Sequence, residues 1–271
     1  FDKSDELFAQ VGSIMTWQFA GNFENISGSG FDKSWDAITH PESDYEFINR
    51  NGVPIKWFDA VTYRPGRWMH PGYQAYTDNS IMFAQTFVKS ATEQEIQVRL
   101  GVSGSVKVWI NDKLMFSEEE ERDNGIDSYI FTAKLNSGFN RVLIQLGQSV
   151  DVDDMNFNVR FTNDNGALVQ GLEYRSDPRP YDKESGFESK VIPHFCETYF
   201  ENKLKENPTD ILSYILMADA YLSNDKSYES RKVLIKAQDL VPKSSYISNL
   251  LMDVYIREDA NTLLSLELEK V

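Results

Sequence analysis

The chain has 271 residues, a formal net charge of −15, and 41% hydrophobic and 13% aromatic residues. That is enough to bury a large core and makes two domains the natural expectation, while the apolar content excludes a disordered or collagen-like chain. Residues 1–180 hold 26 acidic and 16 basic side chains and residues 181–271 hold 16 and 11, so neither part offers the basic face that nucleic acid or an anionic membrane surface needs.

A single cysteine, Cys196, excludes an internal disulfide framework and any multi-cysteine metal site. No run of 18 or more apolar residues occurs, so no transmembrane helix is expected. The first residue is Phe1, with neither Met nor a charged-then-apolar leader, which reads as a mature or trimmed product.

Residues 1–11 carry Phe1, Leu7, Phe8 and Val11 at the spacing of a short amphipathic helix. Ser13 to Phe19 reads as a first strand, and residues 21–51, punctuated by Gly, Asn, Ser and Asp, as a long connection. Val53 to Ala60 is a strand placed at an edge by Pro54, which has no N–H to give to a ladder. Thr62 to Ser80 (TYRPGRWMHPGYQAYTDNS) is a loop by its two Pro-Gly dipeptides, yet it carries Trp, His and three Tyr.

Strands resume at Ile81 to Val88 and Glu95 to Gly101, ahead of the clearest pattern in the chain. Val106, Val108 and Ile110 form a β-branched face, alternating with Lys107, Trp109 and Asn111. Asn111-Asp112 tolerates positive φ and closes a hairpin onto Lys113 to Phe116. Ser117 to Gly125 (SEEEERDNG) reads as a charged turn, and Ile126 to Leu135, Asn140 to Gly147, Asn156 to Thr162 and Ala167 to Tyr174 as further strands. Roughly eight or nine short strands with no helical period between them predict an antiparallel β-sandwich or jelly roll over residues 1–180.

Ser176 to Gly186 (SDPRPYDKESG), rich in Pro, Ser and charge, reads as the domain boundary. Beyond it, over residues 187–271, the apolar period changes from 2 to 3.6. Helices are expected at Val191 to Glu206, Asp210 to Ser223, Asp225 to Leu240, Ser244 to Arg257 and from Asn261 onward. A tetratricopeptide template set at Ile211 places Tyr214, Met217, Ala218 and Tyr221 on the contact face of one helix, Leu234 and Ala237 on the next, and Pro242 at the closing proline. Ser230 stands where a small Ala is usual. Pro208 and Pro242, Met217 and Leu251, and Tyr221 and Tyr255 recur at the period of about 34. Because solenoids need a capping end and Val271 falls inside a repeat, the array is expected to continue in a longer parent.

The first part resembles the galactose-binding-like jelly-roll modules through Trp17 to Asn25, Ala84 to Val88, Val106 to Phe116 and Leu135 to Leu146. In that family the third piece is a Val-Trp-x-Asn-Gly hairpin and the fourth a Leu-x-x-Gly-x-Asn strand opening; here Asp112 replaces the Gly. Together with the repeats, the chain resembles the N-terminal region of large exported bacterial proteins with transglutaminase-like domains. The resemblance implies binding or scaffolding, an exported, periplasmic or cell-surface location, and no specific ligand.

The candidate ligand-binding residues are Arg64, Arg67, Trp68, His70, Tyr73 and Tyr76, because sugar rings stack their CH faces on Trp or Tyr while Arg and Asn bond their hydroxyls. The competing and commoner use of such rings is to fold down over an open end of the sandwich. Asp151, Asp153, Asp154, Asn156 and Asn158 alternate like a calcium-loop fragment, but the turn-forming Gly and the closing Glu of such loops are missing, which favours a solvated turn and no metal. Glu118 to Glu121 reads as a solvated tip. His194 and Cys196 are poorly spaced for ligands on one helix face, and Cys196 is expected to be a packed helix residue. Asn25-Ile-Ser27 fits a glycosylation acceptor pattern without meaning in a bacterial setting.

No nucleotide loop, nucleophile elbow or metal-binding His pair occurs. The expected function is therefore non-catalytic, without cofactor: a β-sandwich for a carbohydrate or envelope ligand, joined to helices for a protein or peptide partner. The alternatives are a purely structural module of a larger exported enzyme, or a hydrolase whose paired carboxylates are brought together only by the fold.

Overall fold

A computed structural model describes residues 3, 7–8, 10–61, 66–149, 155–184 and 186–270. Most of the expected helix at 1–11 and the calcium-like residues 151–154 lie outside them. The chain divides into two compact units, 1–192 and 193–271.

The first unit is one large antiparallel sheet: β1 (Gln18–Glu24), β4 (Phe58–Asp59), β5 (Ser80–Ser90), β6 (Gln94–Ile110), β7 (Lys113–Asp123), β8 (Tyr129–Leu135), β9 (Gly138–Gln148), β10 (Asn156–Thr162), β11 (Glu173–Arg175) and β12 (Val191–Ile192). The long β6 organises it. Its first half lies between β8 and β10, and its second half between β9 and β7. Between the halves sits Gly104, at φ +107, where a Cβ would meet the Gly147 carbonyl oxygen at 2.4 Å; only glycine fits there. The two sets of partners turn one face to a shared core, with Val98 and Leu100 from the first half of β6 and Val106, Val108 and Ile110 from the second packing with Phe131, Ile144 and Phe157. This is compatible with a β-sandwich.

The alternation at 106–111 is explained by a second core. Trp109 is also buried, on the opposite face, among Phe23, Phe47, Trp57, Phe83 and Leu143. The expected long connection therefore becomes a covering layer. It contains α1 (Asp36–Thr39) and a two-stranded sheet, β2 (Phe47–Ile48) with β3 (Pro54–Ile55), which accommodates Pro54 outside the main ladder. β1 runs to Glu24 rather than ending at Phe19, because Ala20 and Phe23 feed this outer core while Phe19 feeds the inner one. A strand buried on both faces carries no clean period of 2.

The hairpin turn is as expected, with Asn111 at φ +51 and Asp112 at φ +65. Asp112 is useful where Gly is usual: its carboxylate accepts from Tyr181 Oη at 2.8 Å and pairs with Arg141 at 3.3 Å and Lys183 at 3.2 Å. Asn111 Nδ2 donates to Asn140 Oδ1 at 2.8 Å, and Asn140 Nδ2 donates to the carbonyls of Asn136 and Gly138. The hairpin and the 135–140 turn are thus one hydrogen-bonded unit.

Three expectations are corrected. Ser117 to Gly125 is not a turn; β7 continues to Asp123 along β6, and its glutamates protect an edge strand. Of Ala167 to Tyr174, only the end joins β11. The division between units lies beyond Ser176 to Gly186, because Lys190 N donates to Thr132 Oγ1 at 2.8 Å and Val191–Ile192 pair with β8, holding this stretch on the sheet.

The second unit holds α2 (Phe195–Glu206), α3 (Ile211–Leu222), α4 (Ser227–Leu240), α5 (Ser245–Arg257) and α6 (Asn261–Leu268) around one core of Met217, Tyr221, Leu234, Ala237, Leu251 and Tyr255. Its geometry repeats at about 34 residues. Asp210 and Ser244 cap α3 and α5 by accepting from Ser213 N and Ile247 N. Asp225 and Asp259 both turn the chain at positive φ, and Lys226 N and Ala260 N donate to the Tyr221 and Tyr255 carbonyls at 2.8 Å each.

Candidate functional site

Of the six candidate residues, Arg64 lies outside the described residues. The rest of the loop is tied to the sheet. Met69 exchanges backbone hydrogen bonds with Phe157 at 2.7 and 3.0 Å and buries its side chain in the inner core. Its neighbours Trp68 and His70 are therefore directed to the other face. A Cβ at Gly101 would meet Trp68 Cη2 at 2.7 Å, so the half-buried indole reaches across β10 to lie against bare backbone on β6. Arg67 Nε donates to Ser13 Oγ at 3.3 Å, and Asn158 Nδ2 donates to the Arg67 carbonyl and to Ser13 Oγ.

Further along, the half-buried His70 and Tyr73 rings stack at 4.8 Å. Gln74 is clamped between Asp59 O and Val61 N, at 3.0 and 2.7 Å. Asn22 Nδ2 donates to the Tyr76 carbonyl at 2.7 Å, and the Arg50 guanidinium lies 4.9 Å from the Tyr76 ring centre. Arg50 is itself fixed by the Asp78 carbonyl and Ser80 Oγ. Tyr76 remains 60% exposed. The structure brings His70 and Tyr73 together and settles Arg67, Trp68 and Tyr76 on separate supports. Trp68 is the clearest case of a ring folded onto the sheet. Asn22 and Arg50 support the site without any local motif to mark them.

A cleft of about 650 Å³ opens between residues 12–16 and 168–174. The helical unit carries a groove of about 410 Å³ lined by Leu204, Tyr214, Met217, Tyr221 and Val233, with lysines and glutamates at its rim. Burial, reinforced by Glu197, Glu201 and Glu229, pushes the Tyr221 phenol up to about 12.

Among the described residues, no three His, Cys, Asp or Glu side chains are grouped to hold a metal ion, and no helix is long and apolar enough to cross a membrane. Burial and the Glu197 carboxylate push the Cys196 thiol up, away from the thiolate a nucleophile needs. Asn25 is fully buried and accepts from Gly30 N.

No family model matches the chain, and no curated protein matches it. Among solved structures, the chain is similar to the β-glucosidase of Kluyveromyces marxianus in complex with glucose, at 17% identity and a TM-score of 0.29 over 38% of this chain and 14% of that one. It is similar to an anti-sigma factor domain-containing protein of Clostridium clariflavum, at 9% identity and a TM-score of 0.33 over 62% and 49%. It is also similar to the epithelial adhesin 9 A domain of Candida glabrata in complex with Galβ1-4GlcNAc, at 10% identity and a TM-score of 0.31 over 62% and 92%. The chain thus spans only a small part of the glucosidase, and all three likenesses are too distant to fix a ligand.

Proposed function

We propose that the chain is a non-catalytic binding protein, in which the sheet unit is a galactose-binding-like jelly roll that recognises a carbohydrate and the helical unit is a tetratricopeptide-type scaffold for a protein partner. The observation that carries the carbohydrate reading is the loop from Gly66 to Thr77. Its backbone is fixed to the sheet at Arg67, Met69 and Tyr76 and its Gln74 side chain to Asp59 and Val61, yet it leaves Tyr76 60% exposed and part of the half-buried Trp68, His70 and Tyr73 rings at the surface. Rigid aromatic rings held at a surface lose little entropy on binding and offer flat faces to sugar CH groups. The helical reading is supported by the caps and left-handed aspartates that recur at about 34 residues.

Equilibrium binding of the whole chain to a glycan panel tests the first half. Trp68→Ala and Tyr76→Ala are each expected to weaken the bound glycan about 3- to 10-fold, the worth of one aromatic contact. Failure to bind any glycan refutes it. For the second half, a partner captured by the whole chain should be released by Lys232→Glu with Lys236→Glu, exposed positions on the helical groove; retention would place the partner elsewhere.

A further inference from the structure

The cleft between residues 12–16 and 168–174 has a volume of about 650 Å³, within the range of about 300–1,000 Å³ usual for small-molecule sites. Its apolar lining comes from Met15, Phe161, Leu172 and Tyr174, all of which belong to or pack against the inner core. Thr16 and Gln170 add a hydroxyl and an amide. Among the described residues, none of its lining side chains is Asp, Glu, Lys, Arg or His, although the chain carries 42 acidic and 27 basic residues. Burial alone raises the Tyr174 phenol.

That lining selects against an ionic ligand, which would lose its water and find no countercharge. It suits a neutral ring with an apolar CH face and a hydroxylated edge. Ser13 joins the cleft to the aromatic loop, because it lines the cleft while its Oγ accepts from Arg67 Nε at 3.3 Å and from Asn158 Nδ2 at 3.1 Å. We infer that this cleft is a sugar subsite, taking one neutral ring of the glycan that the loop engages; the inference rests on the carbohydrate reading above.

The test uses the whole chain, with cellobiose, lactose and N-acetyllactosamine as neutral probes and digalacturonic acid as the charged one. Affinity is read by calorimetry, and contact at the cleft by the Met15 methyl resonance, assigned with Met15→Leu. A neutral probe should shift that resonance. Gln170→Trp, at an exposed position on the mouth, and Thr16→Trp, on the facing wall, should each weaken binding at least 10-fold with the melting curve unchanged. Binding that survives both variants and leaves Met15 unmoved, yet is weakened in Tyr76→Ala, refutes the cleft and keeps the carbohydrate reading. Preference for the charged probe refutes the neutral-ring assignment. Binding of no probe refutes the cleft as a sugar subsite, and the carbohydrate reading survives only if the wider glycan panel gives a ligand.

Discussion

The two units bury apolar surface by different means. In the sheet unit the central strands are covered on both faces, by the inner core and by the outer layer around Phe47 and Trp57. A buried polar network fastens that layer. In the helical unit one core serves all the helices, and Phe195, Tyr199, Leu212, Tyr246 and Ile256 stay more than half exposed. Its helices pack mainly on their neighbours in sequence, so local contacts carry much of its stability. The sheet unit is closed by long-range pairs that must form together. All five tryptophans (Trp17, Trp35, Trp57, Trp68 and Trp109) lie in the sheet unit. Tryptophan fluorescence therefore reports that unit, and circular dichroism at 222 nm mainly reports the helices.

The largest effect is expected at Arg141, which is 1% exposed. Its guanidinium donates to the Ala37 and Ile38 carbonyls at 2.8 and 2.7 Å and to Gln85 Oε1 at 3.1 Å, and it pairs with Asp112. It thereby fixes the outer layer to β9 and to the hairpin. Arg141→Ala leaves the Ala37 and Ile38 carbonyls and Gln85 Oε1 without this donor, strips the Asp112 carboxylate of one of its three partners, and should cost about 3–5 kcal/mol. The loss is read as a lower urea midpoint in tryptophan fluorescence. Arg141→Ala with an unchanged midpoint would mean that the outer layer holds by apolar packing alone. The matching change in the other unit is Leu234→Ala. Leu234 is fully buried, and its truncation should cost about 2–5 kcal/mol, read at 222 nm. If fluorescence shifts as much as dichroism, the contrast between the units fails.

What could be read from the chain alone follows the same contrast. The helical unit was legible nearly to its caps, because Asp210, Ser244 and the recurring aromatics are local signals at a fixed period. The hairpin at Asn111-Asp112 was legible for the same reason. The outer layer was not: Trp35, Tyr45, Phe47 and Trp57 are scattered among turn residues, and nothing local says that they converge on Trp109. The glutamates of β7 look like a tip in the sequence, although an edge strand keeps one row of side chains in water. The aromatic loop is legible by composition, but its supports come from distant parts of the sheet unit, Asn22 and Asn158 from strands and Arg50 from the turn between β2 and β3. The walls of the cleft are about 150 residues apart in sequence, and such pairing is set by the sheet register rather than by any motif.

A subtler test concerns acid. Glu267 is 2% exposed, and burial alone would raise its carboxyl. Hydrogen bonds from Lys270, Ser248 and Gln238 outweigh burial and hold it below its ordinary 4.5. A lowered folded value means that its contribution to stability is present above that ordinary value and is lost as pH falls through the folded one. The helical signal should therefore lose stability on acidification below about pH 4.5 more steeply in the parent than in Glu267→Gln, measured by urea titration at 222 nm. Equal slopes would remove Glu267 as a cause.

The smallest expected effect has the opposite sign. Ser230 on α4 is fully buried, and its hydroxyl has no hydrogen-bond partner among the described residues. A buried hydroxyl that leaves water without a new partner is a net cost, and alanine fits the same close approach of helices without it. Alanine also has the better helix propensity. Ser230→Ala should raise the urea midpoint at 222 nm by the equivalent of about 1 kcal/mol and leave tryptophan fluorescence unmoved. Destabilisation would instead show that the hydroxyl is engaged, by water or by the preceding helical turn. The helical core would then depend, as the sheet unit does at Arg141, on a buried polar contact.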